Sequence, residues 1–334
     1  MSSPASGADY ASGLVEGVLA RRIRDVARAI TIVENGGDPA QALMATLSQQ
    51  PAAQRRCQTI GLTGSPGVGK STMTAALIAA FRDQGRSVAV LAVDPSSPFS
   101  GGALLGDRIR MQSHSDDSDV FIRSMASRGH LGGLAAAAGQ VLRVFDAAGF
   151  DVVLIETVGV GQSEVEIAAA ADTTVVLLAP GMGDGIQAAK AGILEIGDVF
   201  VVNKADREGA ASTARELRQM IALSAGGEQA SEARWIPVVV TSVASTGQGV
   251  PEAAEAIDGH QAWASASGEL DRRRLQRARE EISATVAGLV RRSLQTESMS
   301  GDLDRLAGDV AHGRVDVHRA AQDLWGLMTK DQTT

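Results

Sequence analysis

Eight consecutive residues, Gly64-Ser65-Pro66-Gly67-Val68-Gly69-Lys70-Ser71, constrain this chain more than any other stretch. They satisfy the phosphate-loop pattern G-x-x-x-x-G-K-[ST] at every specified position. The pattern requires a strand before it and a helix after it. Cys57 to Thr63 (CQTIGLT) reads as a short buried strand, and Ser71 to Phe81 (STMTAALIAAF) reads as an apolar helical run. Glycines let the backbone curl so that successive N–H groups point inward, and a helix N-terminus adds partial positive charge. Together they make a cradle for phosphate oxygens. Lys70 is then placed to bridge terminal phosphates and the Ser71 hydroxyl to bind Mg²⁺, with Thr72 completing the nucleotide-binding set.

The rest of the chain repeats the same rhythm. Ser87 to Val93, Val120 to Arg123, Val152 to Ile155, Thr173 to Leu178, Val199 to Val202 and Ile236 to Val240 are short β-branched runs. Most lack polar alternation, as expected of parallel strands buried on both faces. Helical stretches lie between them at about Leu131 to Ala148, Glu164 to Ala171, Ile186 to Ile196, Ala211 to Leu223 and Pro251 to Ala264. These alternations predict a doubly wound, mainly parallel α/β domain over residues 55–265.

Helical extensions flank it. Residues 1–12 are expected to be disordered. Over 13–54, apolar positions from Leu14 to Val33 recur at helical spacing, and Asn35-Gly36-Gly37 ends the run. A second helix then starts with Asp38 as N-cap and Pro39 at its first position. Beyond 266 no strand pattern survives. Leu275, Ala278, Ile282, Val286 and Leu289 form a narrow stripe on a highly charged helix, a pattern that suits either an oligomer seam or packing onto the same chain.

Composition narrows the class. Apolar residues make up 44% of 334, enough for a sizeable core, and a net charge of -8 argues against nucleic acid or an anionic membrane as the main partner. Cys57 is the single cysteine, which excludes an internal disulfide and a thiolate metal cluster and fits a reducing cytosol. No run of about 18 apolar residues and no basic-then-apolar leader is present, so membrane spanning and secretion are not expected.

Three further segments carry chemistry. The strand Val152 to Ile155 ends in Glu156-Thr157-Val158-Gly159. There a carboxylate can support Mg²⁺ through water, and the Gly159 N–H can sense a γ-phosphate. Asn203-Lys204-Ala205-Asp206 follows the next strand but one. An Asp206 carboxylate can accept two hydrogen bonds from guanine and none from adenine, Asn203 can orient the loop, and the Lys204 stem can lie on the ring. Thr241-Ser242-Val243 offers a second wall. Asp94, opening Asp94-Pro95-Ser96-Ser97-Pro98, suits either a Mg²⁺-linked role or turn initiation. Arg108, in Gly106 to Met111, and Arg128, in Arg123 to Gly129, suit γ-phosphate stabilisation or pairing with a neighbouring carboxylate. Gly181 to Gln187, with Asp184 and then Lys190, reads as a nucleotide-responsive loop.

Taken together these motifs closely resemble the metallochaperone-type branch of P-loop GTPases, and within it the methylmalonyl-CoA mutase-associated GTPases of the MeaB/ArgK type. The discriminating features are Glu156 where many GTPases carry Asp, the Asp94-Pro95-Ser96-Ser97 stretch, the run to Gln162-Ser163, and the loop at 181–190. Val243 stands where the family more often has Ala. The resemblance implies GTP hydrolysed to GDP, Lys70, Ser71, Asp94, Asp107 and Glu156 around phosphate and Mg²⁺, and switch loops near 94–111, 156–163 and 181–190. It also implies a homodimer joined through the C-terminal arm, 266–334. Its implied partner is adenosylcobalamin-dependent methylmalonyl-CoA mutase, loaded by an adenosyltransferase and protected from inactivation.

The chain's own cobalamin pattern, Asp-x-His-x-x-Gly, fails because Arg128 precedes His130 and Gly133, so no cobalamin is expected on it. A nickel-inserting chaperone would need a His- or Cys-rich tract, which is lacking. A related label, arginine/ornithine transport kinase, finds no protein-kinase or transporter-docking motif here. A small-molecule or protein kinase would be separated from a GTPase by a phosphorylated product.

Overall fold

The computed structural model describes residues 7–51, 56–95, 117–127, 133–157, 170–181, 194–225 and 234–330. Among them are seven strands in one parallel sheet, ordered β3-β2-β4-β1-β5-β6-β7. In chain order the strands are β1 (Gln58–Thr63), β2 (Val88–Pro95), β3 (Val120–Ser127), β4 (Val152–Thr157), β5 (Thr173–Leu178), β6 (Val199–Val202) and β7 (Val238–Thr241). The helices are α1 (Gly7–Leu19), α2 (Ile23–Asn35), α3 (Gly37–Ser48), α4 (Lys70–Asp83), α5 (Gly133–Ala148), α6 (Ala210–Ala225), α7 (Val250–Ser267), α8 (Glu269–Ser293), α9 (Glu297–Ala311) and α10 (Val317–Lys330), with a single turn at Leu194–Ile196.

β1, β5 and β6 are buried along their whole length because both faces are covered. Ile60, Leu62, Val88, Val90, Val152, Leu154, Val175 and Leu177 pack beneath α4 and α7. The alternate residues Ala89, Leu91, Val93, Phe121, Val153 and Ile155 face α5 and the N-terminal helices. Val176, Leu178, Phe200 and Val202 meet α6 on that same side of the sheet. β1 lies at the centre, in register with β4 (Leu62 opposite Glu156) and with β5 (Thr63 opposite Val176). Its C-terminal end is therefore flanked by those of two other strands, the position where ligands bind in open α/β sheets.

Several boundaries differ from the sequence reading. The Leu14–Val33 periodicity is split into α1 and α2. Arg21 adopts φ 50°, and its guanidinium donates to the carbonyls of Ala148 (3.0 Å) and Gly149 and to Asp119 (3.1 Å), while lying over the Phe150 ring. These are contacts with the end of α5 and the approach to β3, so the break is made by tertiary structure. α1 begins at Gly7, inside the 1–12 segment expected to be disordered. Asp38 is not an N-cap: α3 starts at Gly37 after Gly36 in a positive-φ conformation, which puts Asp38 and Pro39 within the first turn. β2, β3 and β4 run two to four residues beyond their apolar stretches, because parallel pairing continues through polar strand ends such as Asp94 opposite Ala126. Ala170 and Ala171 lie in a turn rather than in the expected helix, whose remainder, like residues 186–193 of the next one, lies outside the described residues.

The chain divides into two compact units, residues 1–278 and 279–334. The second contains the helical pair α9 and α10, packed through Met299, Leu306, Ala320 and Leu324. In the first unit, the opening turns of α8 are clamped to the N-terminal ends of the central strands by charge. Asp172, 1% exposed just before β5, accepts two hydrogen bonds from Arg274 (2.6 and 3.2 Å) and one from Arg277. Asp198, just before β6, accepts a bidentate pair from Arg273 (2.8 and 2.9 Å) and lies 3.2 Å from the fully buried His260.

Burial pushes the Asp172 carboxyl up, but the bonds and charges of Arg274 and Arg277 outweigh it and hold it below the ordinary value of 3.8. For Asp198 the same burial is outweighed by His260 and Arg273. A depressed folded-state value contributes stability that is present above 3.8 and is lost as pH falls through the lower folded value. Acid unfolding should therefore steepen below that pH. Asp172→Asn, which leaves two arginines without their counter-charge, should lower denaturant stability at neutral pH by about 3 kcal/mol and flatten the acid limb.

Candidate functional site

The phosphate loop leaves β1 at Gly64 and enters α4 at Lys70. Two glycines are required by close approach. At Gly64 (φ 140°) a Cβ would lie 2.3 Å from the Leu177 carbonyl oxygen of β5, and at Gly69 (φ 99°) it would lie 2.5 Å from Asn203 Nδ2. Ser65 is half-buried and Pro66 and Gly67 are exposed, whereas Val68 anchors the loop in the core beneath α4. The Lys70 ammonium, 7% exposed, donates to the carbonyls of Gly64 and, at 3.3 Å, Ser65, so it lies within the curl of the loop.

At the foot of the loop is a buried carboxylate. Glu156 ends the apolar part of β4 on the α4 face and is 3% exposed. The Ser71 hydroxyl donates to its Oε1 at 2.5 Å, and the Thr74 hydroxyl lies 3.0 Å from its Oε2. Thr72, beside Ser71 in the first turn, is half-buried. Sequence reasoning found Ser71 and Glu156 and missed Thr74. The available signal was the three-residue spacing from Ser71, which puts both hydroxyls on one side of α4. Ser71 and Glu156 are hard oxygen donors, the chemistry Mg²⁺ prefers, and that ion is ordinarily held by one or two carboxylates plus substrate phosphates. Among the described residues no cluster of three His, Cys, Asp or Glu side chains forms a metal cage. The pair present fits Mg²⁺ bound together with a phosphate ligand.

The second loop cluster is tied to the first by one amide. Asn203, 2% exposed at the end of β6, donates from Nδ2 to the Val68 carbonyl (2.9 Å). Its Oδ1 accepts from Ala244 N–H (3.1 Å) and from the Ser242 hydroxyl (3.3 Å). Lys204 takes a left-handed backbone (φ 57°) and reaches back so that Nζ donates to Gly67 O at 2.5 Å. Asp206 is exposed two residues on. Ser242 also accepts from Ala205 N–H (2.9 Å), and Val243 N–H donates to Gln248 O (2.9 Å), which closes the loop after β7. The backbone of Ala244 and the partner Gln248 were not foreseen, because their role depends on where Asn203 points.

Asp94 is the penultimate residue of β2, its backbone in register with Ala126 of β3; its side chain lies outside the described residues, as do Asp107, Arg108, Arg128, Gly159, Gln162, Asp184 and Lys190. The described site therefore unites Gly64 to Thr72, Glu156, Asn203 to Asp206 and Ser242 to Val243 at the C-terminal edge of the sheet.

Asn203→Ala would leave the Val68 carbonyl and the Ala244 N–H without their partner. A loss of about 2 kcal/mol in thermal or denaturant stability is expected, with Gly69→Ala acting in the same direction by driving into the amide.

Comparison with known proteins agrees with this architecture. The family model for the methylmalonyl-CoA mutase-associated GTPase MeaB matches residues 26–299. A relative from Pyrococcus abyssi is 44% identical over 298 residues, spanning 89% of this chain and 90% of its own. GTPase ArgK of Escherichia coli is 38% identical across 77% of this chain and 80% of its own. A crystal structure of a LAO/AO transport system kinase superposes with a TM-score of 0.68 over 96% of this chain and 97% of its own. At 23% identity it speaks for the shared fold. With the phosphate loop, the strand-end glutamate and the Asn-Lys-Ala-Asp loop gathered at one sheet edge, the chain belongs to the MeaB family of methylmalonyl-CoA mutase-associated GTPases.

Proposed function

We propose that this GTPase hydrolyses GTP to GDP and phosphate as a timing step for adenosylcobalamin-dependent methylmalonyl-CoA mutase, gating cofactor loading from an adenosyltransferase and protecting the loaded mutase. The observation that carries the reading is the buried Ser71–Glu156 contact directly beneath the loop that Asn203 latches to the Asn203–Asp206 segment.

The loop N–H groups and the α4 N-terminus receive phosphate oxygens, and Lys70 opposes charge developing on the terminal phosphoryl group. Ser71 and Glu156, with Asp94 and Asp107, would hold Mg²⁺, which would supply further positive charge opposite the phosphate oxygens. Gly159 senses the γ-phosphate, and Arg108, Arg128, Gln162, Asp184 and Lys190 belong to the loops that report its presence. Asp206 accepts from guanine, the Lys204 stem covers the ring, and Ser242 and Val243 form the far wall. No general base is assigned, so turnover by the isolated chain is slow and partner binding raises it.

Leu275 (55% exposed), Ile282 (65%), Val286 (51%) and Leu289 (46%) form an exposed apolar stripe along α8, which supports a homodimer through the C-terminal arm, residues 266–334. Cobalamin resides on the partner and not on this chain. The site of action is the cytoplasm, with neither nucleic acid nor membrane as partner; no described helix is long and apolar enough to cross a membrane.

Phosphate release from GTP, followed with and without methylmalonyl-CoA mutase, should be slow for the chain alone and faster in the mixture; a rate indifferent to every acyl-CoA mutase offered would remove the partner from this account. Lys70→Ala should abolish turnover. Asp206→Asn should weaken GTP by about 100-fold and leave ATP nearly unaffected, because the amide mismatches only the guanine edge.

A further inference from the structure

We propose that Thr74 is a positioning residue for the metal-supporting carboxylate: its hydroxyl locks Glu156 so that Oε1 stays against Ser71, which makes the two oxygen donors one rigid unit. The assignment rests on the Mg²⁺–guanine nucleotide reading above.

A glutamate has one more rotatable bond than an aspartate, so a carboxylate at this strand end can swing unless something holds its second oxygen. β4 aims Glu156 at α4, because Val152 and Leu154, four and two residues earlier, sit in the core on that face. Ser71 and Thr74, three residues apart on α4, then meet the two oxygens separately, Ser71 on Oε1 at 2.5 Å and Thr74 on Oε2 at 3.0 Å. Thr74 is fully buried, so no bulk solvent replaces it.

Its Oγ1 also lies 3.0 Å from the Lys70 carbonyl, the ordinary back-bond of a helical threonine. One hydroxyl proton cannot serve both acceptors fully. A carboxylate oxygen is the stronger acceptor, and turning the proton to Lys70 O would face Thr74 lone pairs toward the Glu156 oxygen. The proton therefore goes to Glu156, and the contact with Lys70 O sets the threonine rotamer.

The test measures release of fluorescently labelled GDP from the full chain in Mg²⁺ and in EDTA, a readout independent of hydrolysis. In the wild type Mg²⁺ should slow release. Thr74→Val keeps the side-chain volume and removes the donor; it should shrink the ratio of the two rates by up to about tenfold while leaving the EDTA rate unchanged. Thr74→Ser should restore the ratio. In a Glu156→Asp background, whose shorter carboxylate falls away from Thr74, Thr74→Val should add nothing.

A Thr74→Val ratio equal to wild type, an equal change in both media, or additive effects with Glu156→Asp overturns the assignment. A wild-type chain that binds labelled GDP but ignores Mg²⁺ overturns the metal reading and the assignment together. A chain that binds no GDP overturns the nucleotide reading itself, and both of these patterns differ from a Thr74-specific failure.

Discussion

The double pairing of β1, with β4 on one side and β5 on the other, is the constraint on which the remaining geometry depends. All six of its residues are buried, and it carries a glycine where a side chain would otherwise stand, at Gly61. Once β1 is central, the phosphate loop emerges between two other strand ends. Gly64 must pass against the Leu177 carbonyl, and Glu156 must lie beside the start of α4. The site is thus a consequence of strand order as much as of the residues that line it.

The two ends of the same strands do different work. At the C-terminal ends, a carboxylate and backbone carbonyls are held by hydroxyls, an amide and an ammonium: Glu156 by Ser71 and Thr74, Val68 O by Asn203, Gly67 O by Lys204. At the N-terminal ends, charge is matched against charge, with Asp172 and Asp198 opposite Arg273, Arg274 and Arg277 of α8. A carboxylate with a bidentate arginine stays ionised and immobile, which suits an anchor. The Asn203 latch and the Ser71–Glu156 contact leave ligating atoms beside a loop that receives a charged substrate, which suits a site. The opening turns of α8, within residues 1–278, are clamped to the starts of β5 and β6, whose far ends carry the Leu177–Gly64 contact and Asn203.

The N-terminal helices complete one face of that sheet. Val26, Ala29, Ile30 and Val33 of α2 join the core formed with α5 and β2 to β4, and Arg123 on β3 donates to Glu34 at 2.6 Å. Arg21 fastens the α1–α2 junction to the end of α5. These helices therefore belong to the same hydrophobic core as the sheet, although their periodicity alone describes an amphipathic extension.

Local sequence determined the parts whose physics is local. Gly64 to Ser71 specifies a glycine turn into a helix whatever surrounds it, and Val152 to Ile155, Thr173 to Leu178 and Val199 to Val202 specify buried parallel strands, because continuous branched apolar runs of that length have no other stable home. The segment Asn203 to Asp206 was readable as one loop for the same reason, since four adjacent side chains after a strand share it. Other features depend on pairs of residues far apart in the chain, and only the tertiary structure decided them. These are the strand order, the break at Arg21, the arginine clamp on Asp172 and Asp198, the bond from Asn203 to Val68, and Thr74 beside Glu156. The last four each require two segments 75 to 135 residues apart to meet. No propensity or period encodes such a meeting, because its free energy comes from the burial and hydrogen bonding that arise when the core closes.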